Sequence, residues 1–176
     1  STEYTDENVR SELENFLKTT LLRTVIEVKD SPAFLANRIG FQFINSAMQY
    51  AWKYQDNGGI DYIDSILGKF TGRSMAPLAT ADFVGLDVHK AIVDNIYSNT
   101  NDYNRESFAL PEFAQKLIDE KKLGRKAGGG LYKTEIIDNT IKKRSVYDIS
   151  SGTYREKINY VFPFAEKMKA NLKEGK

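Results

Sequence analysis

The segment from Pro32 to Gln55 constrains the fold of this chain more than any other part of its sequence. On a helix, its apolar side chains would cover most of the circumference: Phe34, Ile39, Phe41, Phe43, Ile44, Ala47, Met48, Tyr50, Ala51 and Trp52. A helix that is apolar on most sides is normally surrounded by other elements. Ser31-Pro32 supplies a start signal, with proline at the first helical position. We therefore predict a central, buried helix over residues 32–55.

Shorter helical segments follow, separated by glycine, proline or polar residues. They begin near Asp61, at Pro77, after Gly85 and at Pro111. Each carries apolar side chains at the three- and four-residue spacing that places them on one face of a helix. Residues 30–132 are therefore predicted to be a helical domain.

The first 29 residues follow a different pattern. Thr5 or Asp6 can cap a helix that continues to about Leu17, and residues 24–29 are a β-branched run typical of a strand. A lone strand cannot satisfy its backbone hydrogen bonds. We therefore expect residues 1–29 to be the last helix and strand of a larger α/β domain. Without that domain, the strand is expected to pair with the same strand of a second copy or with a hairpin at residues 145–158.

That hairpin is predicted from the last part of the chain. Two strand-like segments, residues 145–149 and 153–158, flank the turn signal Ser150-Ser151-Gly152. An amphipathic segment from Pro163 to Leu172 predicts a final helix. Residues 133–176 are thus expected to form a β-hairpin and a helix.

Composition excludes several classes of function. The chain has no cysteine and a single histidine, so disulfides, thiolate nucleophiles and His-rich metal sites are ruled out. No apolar run is long enough to span a membrane, and we expect a cytoplasmic protein. The net charge of +1 combines 11 basic and 18 acidic residues over 1–120 with 14 and 6 over 121–176. No nucleic-acid-binding motif accompanies this basic end, so we expect no nucleic-acid partner.

Three features could carry chemistry, and each also has a structural interpretation. Gly128-Gly129-Gly130 leads into an extended segment, which favours a tight turn over a phosphate-binding loop. Asp87 and His89 would point apart on a helix, which favours a structural histidine at the surface or partly buried. Asp61 and Asp64 could form a carboxylate pair, but a cap and a first-turn charge are favoured.

Asn37 lies early in the long apolar helix. A buried asparagine must have its amide satisfied, which is a structural role. An amide fixed on a rigid helix can also donate to an oxygen that gains negative charge during a reaction. The residues alone favour the structural role.

Three blocks of residues, in this order, resemble the C-terminal part of the L-3-hydroxyacyl-CoA dehydrogenases. Residues 30–38, Asp-Ser-Pro-Ala-Phe-Leu-Ala-Asn-Arg, are similar to the family's Asp-Thr/Ser-Pro-Gly-Phe-x-x-Asn-Arg. Residues 72–77 and 82–87, Gly-Arg-Ser-Met-Ala-Pro and Asp-Phe-Val-Gly-Leu-Asp, resemble its Gly-x-Pro-Met-Gly-Pro and Asp-x-x-Gly-Leu-Asp. Residues 124–132, Gly-Arg-Lys-Ala-Gly-Gly-Gly-Leu-Tyr, resemble its Gly-x-Lys-Thr-Gly-x-Gly-Phe-Tyr.

The resemblance implies a mainly α fold in three regions. Residues 1–29 would be the remnant of a Rossmann-type NAD-binding domain, residues 30–132 the helical substrate and dimerisation domain, and residues 133–176 an extension. The Gly-rich NAD loop and the catalytic His–Glu pair would lie in the missing N-terminal domain. The chain alone is therefore expected to bind no NAD and to be inactive, and the parent enzyme to be a homodimer.

The resemblance also implies a reaction, in which a hydride passes from the 3-hydroxy carbon of an acyl-CoA to NAD. By the match to Asn-Arg, Asn37 becomes a catalytic residue beside the substrate oxygen. Met75 and Pro77, from the loop that matches Pro-Met-Gly-Pro, would line the acyl end of the cleft.

Several residues depart from the family pattern. The family's residues are replaced by others in a few places: Ala33 replaces Gly, Ser74 replaces Pro, Ala76 replaces Gly and Leu131 replaces Phe. Ser46 stands where relatives often carry Glu. These changes bear on acyl preference and activity more than on the fold. Two other functions stay open: a non-catalytic helical scaffold for oligomerisation or partner binding, and a related β-hydroxyacid dehydrogenase with another substrate.

Overall fold

In a computed structural model of the chain, residues 4–68, 71–137 and 141–173 are described. Residues 1–3 and 174–176, at the ends of the first and third predicted regions, lie outside them. The described helices are α1 (Glu7–Thr19), α2 (Phe34–Lys53), α3 (Ile60–Ile66), α4 (Pro77–Val84), α5 (Leu86–Asn99), α6 (Glu112–Asp119) and α7 (Pro163–Lys173). The described strands are β1 (Tyr132–Ile137), β2 (Ile141–Asp148) and β3 (Thr153–Glu156).

Helix α2 begins two residues later than predicted. Ala33 and Phe34 have positive φ angles of 64° and 52°, so the chain turns before the helix starts. The turn is closed by the Phe34 amide, which donates to the Ser31 carbonyl at 2.9 Å. Pro32 therefore lies in a turn, and the predicted proline start of the helix was wrong.

The long helix is central, as predicted, but it is buried on one side only. Its inner face carries Phe41, Ile44, Asn45, Ala47, Met48 and Ala51. The apolar residues Ile39, Tyr50 and Trp52 are exposed, with Ile39 61% accessible. The prediction of burial around most of the circumference was therefore wrong, because the described elements pack against only part of α2.

Helices α3 to α6 lie close to their predicted positions. Gly85, with a φ of 107°, separates α4 from α5. Helix α4 begins at Pro77, where proline occupies the first helical position. The main core combines buried residues of these helices with those of α2: Ile44, Ala47, Met48, Ala51, Ile60, Ile63, Leu78, Ala81, Leu86, Phe113, Ala114 and Leu117.

The three strands form an antiparallel sheet in the order β1-β2-β3. Strands β2 and β3 are the predicted hairpin. Strand β1 was not predicted as a sheet strand, and it pairs with β2 from Tyr132 opposite Val146 onwards. Leu131, Tyr132, Val146 and Tyr147 belong to the main core, so the sheet packs directly on the helices.

The N-terminal residues contribute little to this core. Helix α1 is capped by Asp6, whose Oδ1 accepts from the Asn8 amide at 2.8 Å, but none of its residues is buried. Residues 24–29 form no regular element and pair with none of the described strands. The predicted pairing with the hairpin was therefore wrong, and without a neighbour these residues form no strand. Pairing with a second copy of the chain stays a prediction. Among the described helices, none has the length and apolar character needed to cross a membrane.

Candidate functional site

Asn37 lies in the first turn of α2, and its side chain is exposed. The next residue, Arg38, is held in place by Asp102, which accepts from the Arg38 Nε at 2.9 Å and also from its Nη2. Exposed apolar side chains surround this turn: Phe34, Leu35 and Ile39. Asn37 therefore does not have the buried position that a structural role would require. Its amide is presented to solvent from a fixed helical turn, at the edge of an apolar surface.

The loop that matches Pro-Met-Gly-Pro leads into α4. Met75 is 38% exposed, whereas Pro77 is buried at the start of the helix. The loop is held against α2 by Arg73, whose guanidinium carbon lies 4.1 Å from the centre of the Phe43 ring. Met75 is thus available to a ligand, while Pro77 packs within the protein. Their common role in lining a cleft stays a prediction.

Helix α4 is capped by a residue of another helix. Its own N-cap, Ala76, has no side-chain acceptor. Instead, the carboxylate of Asp64 on α3 accepts from the Leu78 amide at 2.8 Å and from the Ala79 amide at 2.9 Å. It also accepts from the Tyr132 hydroxyl at 2.7 Å. Burial raises the pKa of Asp64 to about 6, and these hydrogen bonds oppose the rise only in part.

Asp61, one turn earlier on α3, has different partners. Its two carboxylate oxygens accept from Arg155 at 2.7 and 2.9 Å, and Oδ2 also accepts from the Ile158 amide at 2.8 Å. Asp61 is fully buried, so this bidentate pair fastens the end of β3 to α3. Asp61 lies in the first turn of α3, as predicted, but Asp64 was wrongly predicted to serve that helix. The two carboxylates serve separate contacts and do not form a catalytic pair.

Residues 124–130 form a tight turn, as the glycine run predicted. The Gly124 amide donates to the Gly129 carbonyl at 2.9 Å, and a short 3-10 helix lies between them. A Cβ atom at Gly130 would lie 2.7 Å from Oδ1 of Asp82, so this position has no room for a side chain. The same Asp82 oxygen accepts from the Tyr132 amide at 3.1 Å. The glycines therefore let the chain pass close to the end of α4 and enter β1.

A second contact joins the same two blocks. Lys126 donates to Asp87 at 2.8 Å, and this hydrogen bond holds the pKa of the Asp87 carboxyl below its usual value. A Cβ atom at Gly85 would lie 2.7 Å from the Lys126 Nζ. The second and third blocks of the resemblance are thus packed against each other, although they lie far apart in sequence.

His89 is fully buried, which corrects the prediction of a surface or partly buried side chain. Its Nε2 lies 3.0 Å from Oδ1 of Asn45. The Asn45 amide nitrogen donates to the carbonyls of Ser107 and Ala109 at 2.8 and 2.9 Å, so Oδ1 is left to accept and Nε2 carries the proton. Burial lowers the pKa of His89 to about 4. The ring is therefore neutral at physiological pH and has a structural role.

Asn45 and the capping role of Asp64 were not predicted from the sequence. A polar residue within an apolar helix is the available signal for Asn45. The described residues contain no group of three or more His, Asp or Glu side chains placed to hold a metal ion.

The family model "3-hydroxyacyl-CoA dehydrogenase, C-terminal domain" matches residues 34–134, which is more than half of the chain. The chain belongs to this family. The predicted 3-hydroxyacyl-CoA dehydrogenase C-terminal fold is thus confirmed, and the contacts between residues 82–87 and 124–132 show that two of the matched blocks form one packing unit.

The chain is also similar to individual 3-hydroxyacyl-CoA dehydrogenases in sequence and in structure. A probable 3-hydroxyacyl-CoA dehydrogenase of Bacillus subtilis (strain 168) is 31% identical over 170 residues, which are 94% of this chain and 20% of that protein. One of Deinococcus radiodurans is 36% identical over 133 residues, 75% of this chain and 37% of that protein. The crystal structure of (S)-3-hydroxybutyryl-CoA dehydrogenase from Ralstonia eutropha has a TM-score of 0.58 and 28% identity, covering 73% of this chain and 43% of that one. The chain spans less than half the length of each of these relatives.

Proposed function

We propose that this chain is the substrate-side and dimerisation domain of an NAD-dependent 3-hydroxyacyl-CoA dehydrogenase. The parent enzyme oxidises L-3-hydroxyacyl-CoA to 3-oxoacyl-CoA in fatty-acid β-oxidation, in the cytoplasm. Family membership supports the reaction class. The single observation that carries the proposal is the placement of Asn37, whose exposed amide stands on a rigid helical turn beside an apolar surface.

Asn37 acts as a hydrogen-bond donor to the 3-hydroxy oxygen of the substrate. This oxygen gains negative charge as it loses its proton, and a donor already fixed in place stabilises that charge without further reorganisation. The pairing of Arg38 with Asp102 keeps the turn in position. Asn37 also lies near the N-terminal end of α2, where the helix dipole is positive and favours negative charge.

The proton of the hydroxyl group must be taken by a group outside this chain. The sequence has one histidine, His89, which is buried with its pKa lowered to about 4 and hydrogen-bonded to Asn45. A base needs access to the substrate and a pKa near the operating pH, and His89 has neither. We assign the base to a domain that precedes this region in the parent enzyme.

The glycine run at residues 128–130 does not fit NAD either. Dinucleotide-binding glycines connect a strand to the start of a helix, whereas residues 128–130 close a turn that leads into β1. In the parent enzyme, NAD held by the preceding domain would supply the hydride acceptor. This chain contributes binding of the acyl-CoA, through Met75 at the acyl end and Asn37 at the 3-position.

Two exposed apolar surfaces fit the remaining partners. The outer face of α2, with Tyr50 and Trp52, is proposed to meet a second copy of the chain in a homodimer. The stripe on α1, Val9, Leu13 and Phe16, is proposed to pack within the missing NAD-binding domain. Large exposed apolar patches of this kind mark interaction surfaces in soluble proteins.

The test is a hydride-transfer assay that follows NADH formation from L-3-hydroxybutyryl-CoA. The isolated chain is expected to show no turnover. Joined to the NAD-binding part of the Bacillus subtilis relative, in place of that protein's matching region, it is expected to restore turnover. In this fusion, Asn37→Ala should lower kcat at least 100-fold, in the range found when a single oxyanion donor is removed.

Asn95→Ala is the matched control, because Asn95 is another exposed asparagine on a helix, α5. It should leave kcat unchanged. Equal activity of the Asn37→Ala and Asn95→Ala fusions would overturn the role of Asn37. Turnover by the isolated chain would overturn the assignment of the base and of NAD binding to another domain.

A further inference from the structure

The loop of residues 72–76 carries Met75, and the structure shows how the end of this loop is fixed. Ala76 is followed directly by α4, so the orientation of the first turn of α4 sets where the loop ends. That first turn presents two amide groups, those of Leu78 and Ala79, which have no acceptor within their own helix. Both donate to the buried carboxylate of Asp64.

The same carboxylate ties α4 to the sheet. Tyr132, the first residue of β1, donates its hydroxyl hydrogen to Asp64 at 2.7 Å and its backbone amide hydrogen to Asp82 at 3.1 Å. Asp82 lies near the C-terminal end of α4. Tyr132 is therefore tied to the start of this short helix through Asp64 and to its end through Asp82.

We propose that Asp64 is a positioning residue for the loop of residues 72–76, and that its carboxylate fixes the place of Met75 by holding the first turn of α4 against Tyr132. That Met75 contacts an acyl chain rests on the proposed function. That Asp64 sets the position of Met75 does not, because it depends only on the contacts described.

Three donors converge on this one carboxylate, so its charge state controls the arrangement. An ionised carboxylate accepts all three hydrogen bonds, whereas a protonated one carries a hydrogen of its own and loses acceptor capacity on that oxygen. The charged and titratable groups facing it from other elements are Tyr132 of β1 and Arg144 of β2, whose guanidinium lies 4.3 Å from the Tyr132 ring centre. Asp82 of α4 accepts from the backbone amide of Tyr132, and Asp61 precedes Asp64 on α3. Burial raises the pKa of Asp64 to about 6, so the loop should change position near that pH.

The chain offers an internal control for a test, because it has three methionines in different surroundings. Met168 lies on α7 and outside the main core, whereas Met48 shares that core with Leu78 and Tyr132 and so cannot serve as the control. We would label the methionine methyl groups of the full 176-residue chain with carbon-13 and record their NMR signals from pH 5 to pH 8. The Met75 signal is expected to shift with a midpoint near pH 6, and the Met168 signal to stay in place.

Substitutions of Asp64 test whether its carboxylate causes the pH-dependent shift of the Met75 signal. Asp64→Asn should abolish the midpoint and leave the Met75 signal displaced at every pH, and Asp64→Glu should restore a titration. Asp94→Asn is the matched control, since Asp94 is a carboxylate on α5 that pairs with Lys90. A Met75 signal that is the same in Asp64→Asn and wild type overturns the proposal. If Asp64→Asn does not fold, a wild-type Met75 signal with no midpoint between pH 5 and pH 8 overturns it equally.

Titration of the labelled chain with L-3-hydroxybutyryl-CoA separates this inference from the proposed function. A Met75 signal that follows pH but does not respond to the acyl-CoA supports the positioning role and contradicts the assignment of Met75 to the acyl site. A signal that responds to the acyl-CoA but not to pH or to Asp64→Asn supports the acyl site and overturns the positioning role.

Discussion

The hydroxyl group of Tyr132 donates a 2.7 Å hydrogen bond to the buried carboxylate of Asp64, which joins strand β1 to helix α3. Both residues are almost completely shielded from solvent. The bond closes a chain of contacts from the sheet, through α3, to the first turn of α4. Because the acceptor is ionised at neutral pH, this hydrogen bond should be stronger than one between neutral groups.

Removal of this hydroxyl should destabilise the protein in a pH-dependent way. We expect Tyr132→Phe to lower the free energy of unfolding by about 1.5–3 kcal/mol at pH 7.5, the range for hydrogen bonds to charged groups. The loss should be smaller at pH 5, where Asp64 is protonated. Urea unfolding at both pH values measures this. Tyr103→Phe, at an exposed tyrosine, should have no effect, and an equal loss at both pH values for Tyr132→Phe would contradict the assignment.

The buried His89 predicts a loss of stability in mild acid. Its pKa is about 4 in the folded chain against 6.5 in the unfolded one, so the unfolded state binds more protons between these values. The stability that it provides is complete above pH 6.5 and falls by about 3 kcal/mol as the pH approaches 4. Asp64 acts in the opposite direction, because its raised pKa stabilises the folded state as the pH falls from about 6.

The substitution His89→Gln removes the histidine's contribution to the pH dependence of stability and leaves that of Asp64. Between pH 7.5 and pH 4.5, acidification should lower the free energy of unfolding of this variant by about 2.5 kcal/mol less than that of the wild type. The measurement is urea unfolding at the two pH values. If both proteins change by the same amount, His89 does not titrate as its burial implies.

Replacement of Ala33 by glycine should stabilise the chain. Ala33 has a φ of 64°, a left-handed conformation that costs a residue with a Cβ about 1–2 kcal/mol. Part of this gain is lost because glycine makes the unfolded chain more flexible, so we expect a net increase of about 0.5–1 kcal/mol in the free energy of unfolding. Ala36→Gly is the control in the first turn of α2, where glycine should destabilise by about 0.5–1 kcal/mol. Thermal unfolding of the two variants should therefore shift in opposite directions.

The turn before β1 should not tolerate a side chain. A Cβ at Gly130 would meet Oδ1 of Asp82 at 2.7 Å, so we expect Gly130→Ala to lower the free energy of unfolding by about 2 kcal/mol or more. Gly40→Ala is the comparison, because nothing lies within 4 Å of a Cβ at this helical glycine. It should be neutral or stabilising by about 1 kcal/mol. Similar losses for the two variants, measured by urea unfolding, would mean that close packing is not what requires Gly130.

Much of the fold was predictable because it depends on local signals. Pro77 and Gly85 mark the bounds of α4, and Gly152 lies in the turn of the hairpin that joins β2 and β3. The start of α2 was not predictable in this way, since alanine at position 33 gives no indication of a positive φ. Strand β1 was not predicted, although its partner β2 begins only four positions after β1 ends.

In the candidate site, too, some features could be predicted from nearby residues and others depend on residues far apart in sequence. The position of Asn37 follows from the helix and the family motif, both readable from nearby residues. The cap that Asp64 provides for α4 joins residues 14 and 15 positions apart, so no local pattern reveals it. The burial of His89 depends likewise on Asn45, which is 44 positions away.

Helix α1 places no side chain in the interior. A different segment placed ahead of residue 30 would therefore leave the packing behind it undisturbed. The turn at Ala33 is then a suitable junction at which to join another N-terminal module.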